Sequence, residues 1–149
     1  MQSPSEQLGT SVREALQSDA ARICALASQL GYEVTQQHVE QRLKAQRHDR
    51  ALLVAVVPRA GVVGWIGIAV SQSLTSVDRA EIEGLVVEHE YRGNGIGELL
   101  LAGAERWARQ RGCTNMRVLS NIVRDRAHRF YERLGYDILK TEYVFKKDL

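Results

Sequence analysis

An arginine and three glycines at alternate positions, Arg92-Gly93-Asn94-Gly95-Ile96-Gly97, form the stretch of this chain best suited to hold an anion. It follows an apolar run, Leu85-Val86-Val87, with the character of a strand end. It leads directly into helical spacing at Ile96, Leu99, Leu100, Gly103, Ala104, Trp107 and Ala108. A strand, a glycine turn and a helix start in succession leave several main-chain N–H groups without partners. Those donors and the positive end of the helix dipole favour an anion, and glycines let a bulky diphosphate approach the backbone. The competing reading is a turn that only caps a helix. Just upstream, Glu81 and Glu83 lie two apart on the predicted strand and so share a face. Carboxylates placed there can act as a general base or bind a cation. The plainer alternative is an exposed strand face with two solvated acids.

Several chemistries are excluded by pattern. A phosphate loop of the Walker type needs Gly-Lys followed by Ser or Thr, and the chain has no such triplet. A dinucleotide fingerprint needs a third glycine where Glu98 stands. The strand after the helix ends in Leu119-Ser120-Asn121, without a carboxylate for a ribose. His38, His48, His89 and His128 show no metal-ligand spacing, so no metal is expected. Cys24 and Cys113 sit among apolar or small residues and read as buried thiols in a reducing compartment.

A chain of 149 residues suits a single domain, here 1–149, with residues 1–9 polar and expected to fray. Its 44% hydrophobic and 26% charged residues are ordinary for a globular protein. No apolar run approaches the roughly 20 residues of a membrane span, and no signal peptide is read at the start. The expectation is a cytoplasmic protein with no membrane partner. The net charge of +2 is unevenly spread: from Arg92 to Arg133 there are nine arginines against four acids, +5, so the remainder carries −3. That asymmetry fits a polyanionic ligand, with a solvated basic face as the competing reading. Nucleic acid is not expected, because no aromatic-interleaved basic motif of the known binding modules occurs.

The elements that must position these residues follow from periodicity. Ser11–Leu16 can form a strand; Ser18 can cap a helix carrying Ala20, Ile23, Cys24, Ala27 and Leu30; Thr35 can cap a second with Val39 and Leu43. Ala51–Val57 is a continuous apolar run, read as a strand buried on both faces. The turn chemistry of residues 58–61 joins it to a strand at Val62–Ser71, giving an antiparallel hairpin. Gly64 and Gly67 inside that strand suggest a bulge or a close approach. Residues 72–79 read as a polar loop and Ala80–Val87 as the strand entering the glycine turn. After the long helix, Met116–Leu119 is a short strand parallel to the one before that helix. Asp125 can cap a helix in which Ala127, Phe130, Tyr131 and Leu134 share a face, and Tyr136–Phe145 supplies one or two final strands. The order β-α-α-β-β-β-α-β-α-β implies an α+β layered domain, a mixed central sheet flanked by helices.

This element order, with Ala80–Gly97 and the later His128-Arg-Phe-Tyr131-Glu-Arg-Leu-Gly-Tyr136, resembles the GNAT superfamily of acyl-CoA-dependent N-acetyltransferases over roughly residues 10–147. The resemblance implies a transferase of the acyltransferase class with acetyl-CoA as co-substrate. Main-chain groups along Leu85, Val86 and Val87 would pair with the pantetheine amides. Arg92, Gly93, Asn94, Gly95, Ile96 and Gly97 would surround the pyrophosphate. Asn121, with Phe130 and Tyr131, would complete the cofactor site. Glu81 matches by position the glutamate some members use as base, with Glu83 as runner-up. Tyr131 would donate a proton to the departing thiolate; its helical spacing equally fits a core tyrosine. Many members have Asn seven residues before that tyrosine, where this chain has Arg124, and Asn121 is the substitute.

No cysteine is placed with a histidine partner to carry an acyl group, so direct attack in a ternary complex is expected. The acceptor expected is a small cationic amine. The alternatives are a protein N-terminus or lysine, or a non-catalytic CoA-binding module. The terminal strand is available to pair across a homodimer, with Lys146 and Lys147 as the competing device that blunts an exposed edge.

Overall fold

The computed structural model describes residues 1–45, 47–74 and 76–149. They form two compact units, Met1–Val118 and Leu119–Leu149. The first carries α1 (Pro4–Gln7), β1 (Ser11–Glu14), α2 (Ala20–Ser28), α3 (Gln36–Lys44), β2 (Arg50–Val57), β3 (Gly61–Ser73), β4 (Ser76–Val87), α4 (Ile96–Gln110) and β5 (Met116–Val118). The second carries α5 (Asp125–Arg133). The five strands lie in sequence order, antiparallel from β1 to β4, with β4 and β5 parallel. A helical crossover joins parallel neighbours, and α4 fills that role.

One sheet face packs on α2 and α3 through Ile23, Leu26, Val39, Val54 and Val86. α4 presents Ile96, Leu100, Leu101, Ala104, Trp107 and Ala108 as its buried stripe. Gly103 lets it close on the sheet, since a Cβ there would already stand 3.3 Å from Leu53 Cδ1 and Val12 Cγ1. The expected strand irregularity is present: the β3–β4 register shifts at Gly67/Ile68. A Cβ on Gly64 would come within 2.8 Å of the Val86 carbonyl oxygen, which explains glycine there.

Five expectations change; one is that Asp125 opens α5 as its first residue instead of capping it, with Arg124 before it. Residues 1–9, expected to fray, include α1, whose Ser3 and Glu6 form a capping box and whose Ser5 is buried. The reciprocal cap satisfies helix-start donors that a polar stretch would otherwise leave to water. Much of the loop expected at 72–79 is strand, because β3 runs to Ser73 and β4 starts at Ser76, paired with each other; Thr75 lies outside the described residues. Ser18 does not cap α2; Asp19 precedes that helix, and its carboxylate instead takes both terminal guanidinium nitrogens of Arg13 (2.7 and 3.1 Å) and the Leu16 N–H (2.8 Å). Finally, Tyr136–Phe145 forms no strand among the described residues. A strand exists through its ladder, and no strand pairing is formed over 136–145 among the described residues. Ile138, Leu139, Tyr143, Val144 and Phe145 are accordingly exposed.

Candidate active site

The glycine turn has the geometry that an anion cradle needs. After a short 3-10 turn at His89–Tyr91, Gly93 (φ 79°) and Gly95 (φ 77°) both occupy the left-handed region that disfavours side chains. Gly95 is the residue before α4, and the first intrahelical bond runs from the Leu99 N–H to its carbonyl (3.0 Å). Among the described residues, no main-chain carbonyl accepts from the N–H groups of Gly93, Asn94, Gly95, Ile96, Gly97 or Glu98. A Cβ on Gly93 would meet nothing within 4 Å, so the turn opens outward. Asn94 faces inward instead: its side-chain amide donates to the Tyr91 and Arg92 carbonyls (3.0 and 3.3 Å) and braces the loop. Arg92 folds back, its Nε donating to the Val87 carbonyl at 2.9 Å.

Leu85, Val86 and Val87 pair with Ile66, Trp65 and Gly64 of β3 along one edge. On the other edge β5 pairs only with Ala80–Ile82. From Glu83 to Val87 that edge carries no strand among the described residues, leaving a run of main chain open to an extended ligand. Arg22 fixes this corner from α2: its Nε donates to the Val62 carbonyl (2.9 Å) and its guanidinium pairs with Glu88. The sequence offered no signal for Arg22, because it lies 66 positions from Glu88. Ser5 was likewise missed; its hydroxyl stands 3.6 Å from where a Gly95 Cβ would be, so α1 backs the turn.

Glu81 and Glu83 share a face, as alternation along the strand predicts. Glu81 lies opposite Ala69, while a Cβ built on Gly67 would sit 3.6 Å from the Glu83 Cβ. Ala69 and Gly67 are two apart on β3 and point the same way. Glu83 is the extra residue where Gly67 pairs with Gly84 and Ile68 with Ile82, so the bulge turns the next residue, Gly84, to the side of Glu83. Gly84 therefore also faces this side, under the indole of Trp65, where a Cβ would lie only 2.8 Å from Cη2. Each carboxylate has a cation beside it: Glu83 pairs with Arg50 (3.1 Å) and Glu81 approaches Arg79 (3.7 Å). The Arg13 guanidinium holds the Asp19 carboxyl below the usual carboxylate range, and burial pushes the Cys113 thiol up.

In the second unit, Tyr131 is half-buried between aromatic edges, its ring 5.2 Å from Phe130 and 5.7 Å from Tyr136. The Asn121 side-chain oxygen accepts from the Val123 N–H (3.1 Å), and its main-chain oxygen meets His128 Nε2 (2.9 Å). Asn121 thus organises the turn before α5. Among the described residues there is no group of three or more His, Cys, Asp and Glu side chains able to hold a metal, and no helix long and apolar enough to cross a membrane.

The family described as acetyltransferase (GNAT) matches residues 18–136 of the chain. The aminoalkylphosphonate N-acetyltransferase of Salmonella typhimurium is 42% identical over 89 residues, 59% of this chain and 56% of that protein, so the match spans little more than half of that relative. The aminoglycoside N(6')-acetyltransferase type 1 of Klebsiella aerogenes is 28% identical over 102 residues, covering 66% of this chain and 67% of that one. Among solved structures, an aminoglycoside antibiotic 6'-N-acetyltransferase from Acinetobacter baumannii superposes with a TM-score of 0.82 at 23% identity, over 95% of this chain and 99% of that one.

Proposed function

Because the chain belongs to the acetyltransferase (GNAT) family of acyl-CoA-dependent enzymes, we propose that it moves the acetyl group of acetyl-CoA to a small amine by direct attack in a ternary complex. The observation that carries this reading is the run of unpaired main-chain donors from Gly93 to Glu98, beside the open β4 edge at Glu83–Val87. In this reading the pyrophosphate rests on Gly93, Asn94, Gly95, Ile96 and Gly97, with Arg92 turning from the Val87 carbonyl toward the phosphates. Each charge-assisted N–H bond is worth roughly 1.5–3 kcal/mol before ordering costs. The pantetheine arm lies along Leu85, Val86 and Val87, and Asn121, Phe130 and Tyr131 complete its surroundings. The whole chain works as one catalytic domain, in the cytoplasm, where its free thiols Cys24 and Cys113 stay reduced.

An amine with a pKa near 10.4 is mostly protonated at pH 7, which costs about 4–5 kcal/mol in nucleophile supply. Glu81, directly or through water, removes that proton as the nitrogen attacks the thioester carbonyl; Glu83 is the second candidate. Tyr131 protonates the departing CoA thiolate. The relatives named for aminoalkylphosphonate and aminoglycoside acetylation support a small-molecule acceptor over a protein amine. The test is an acceptor panel with acetyl-CoA, followed by thiol release. Tyr131→Phe, Glu81→Gln and Glu83→Gln are then compared for kcat at unchanged CoA affinity. Loss of about 10²–10⁴-fold in kcat at Glu81 or Glu83 is expected for a base. Wild-type turnover in all three variants would remove the catalytic assignments.

A further inference from the structure

We infer that the acceptor carries an anionic group as well as its amine, and that Arg117 is the residue that receives it. This rests on the reading of the Glu81 and Glu83 face as the acceptor side and narrows the acceptor class. The register places four residues in one row across the sheet. Arg50 of β2 lies opposite Ala69 of β3, Ala69 opposite Glu81 of β4, and Glu81 opposite Arg117 of β5. Residues paired across strands rise from the same face, at steps of about 4.8 Å. The floor between the charged side chains is built from small residues. Gly67 has no side chain, and Ala69, although in a central strand, is still partly exposed. The row is therefore a trough with charged walls.

The charges in that trough do not balance. Glu83 has Arg50 at 3.1 Å and Glu81 has Arg79 at 3.7 Å, so each acid already faces a guanidinium. Arg117 is a third guanidinium, half-buried, and it forms no ion pair among the described residues. With Asp49, which lies near Arg50 and pairs with Arg47, the count is four cations against three anions, and one excess positive charge remains. A polycation placed there meets net repulsion, and it must also displace Arg50 or Arg79 to reach a carboxylate. An amine carrying its own carboxylate or phosphonate avoids both penalties. Its ammonium group lies at Glu81, and its acidic group takes the planar guanidinium fork one strand away, a geometry that lysine does not reproduce. With neighbouring strands about 4.8 Å apart, a spacer of a few bonds between the two groups suffices.

The experiment measures thiol release by the full chain with acetyl-CoA and two length-matched pairs, 4-aminobutyrate against butylamine and 3-aminopropylphosphonate against propylamine, with spermidine as the polycation. The acid-bearing member of each pair is expected to have a kcat/KM at least roughly tenfold higher, expressed mainly in KM, and spermidine to be the poorest acceptor. Arg117→Gln should collapse that ratio toward unity, and Arg117→Lys should restore part of it. Thermal unfolding of both variants checks that they fold. Acetylation of the amines without preference for the acid, or a ratio indifferent to Arg117→Gln in a folded protein, overturns this inference and leaves the proposed reaction standing. Failure to acetylate any amine while CoA still binds overturns the proposed reaction, and this inference with it.

Discussion

Gly84→Ala tests how the face under Glu81 and Glu83 is built. Gly84 lies opposite Gly67, immediately after the bulged Glu83, and an added Cβ would stand 2.8 Å from Cη2 and 2.9 Å from Cζ3 of Trp65. Carbon atoms in comfortable contact are about 3.5–4.0 Å apart, so the ring or the strand must give by close to 1 Å. The ring has little room to give. Trp65 is paired with Val86 and Val54 and packs against the α2–α3 core. Overpacking of this kind costs about 1–3 kcal/mol. Trp65→Leu withdraws the atoms that clash, and in that background the same alanine should cost less than about 0.5 kcal/mol. The expected coupling is therefore about 0.5–3 kcal/mol in a double-mutant cycle. The loss of glycine freedom in the unfolded chain is common to both arms and cancels. Urea unfolding followed by far-UV circular dichroism reads all four proteins. Equal costs with and without the indole would place the penalty in the backbone and refute the contact argument.

Two further outcomes follow from other parts of the molecule. Gly93→Val forces a β-branched residue to φ 79°, a strain of about 1–2 kcal/mol, and puts its methyls into the open side of the turn. CoA affinity in a calorimetric titration should fall at least roughly tenfold, and an unaltered Kd would count against a phosphate cradle. Asp19→Asn removes a carboxylate held by Arg13 and the Leu16 N–H, with an expected stability loss of about 1.5–3 kcal/mol at pH 7. The Asp19 pKa is lowered on folding, so its contribution is fully present above the unfolded value of about 3.9 and is lost as pH falls through the folded one. Denaturant titrations should therefore show the gap between variant and wild type narrowing below about pH 4; a gap that widens there would be the wrong sign.

The sequence by itself determined the elements whose signals are local. The switch from helical spacing to β-branched runs located α2, α3, β2, β3 and β4. The glycines at 93 and 95 announced a turn before a helix, and the structure adds that both lie in the left-handed region. Thr35 declared its cap, and its hydroxyl oxygen accepts from the His38 N–H as expected. The pattern around Arg92–Gly97 also carried the family.

What only the tertiary structure decided depends on residues far apart in the chain meeting in space. The bulge at Glu83 turns Gly84 onto the side of the two acids, and a one-residue register choice of that kind follows from pairing, which no strand contains within itself. The β4 edge opens after Ile82 because β5 supplies only three paired residues. The arginines beside the glutamates come from β2, β4 and β5, brought together by strand order. Periodicity made Tyr136–Phe145 look like strand, yet a ladder needs a second chain segment at the right distance. The sequence can state a residue's preference for extended backbone, but a hydrogen-bonding neighbour belongs to the fold.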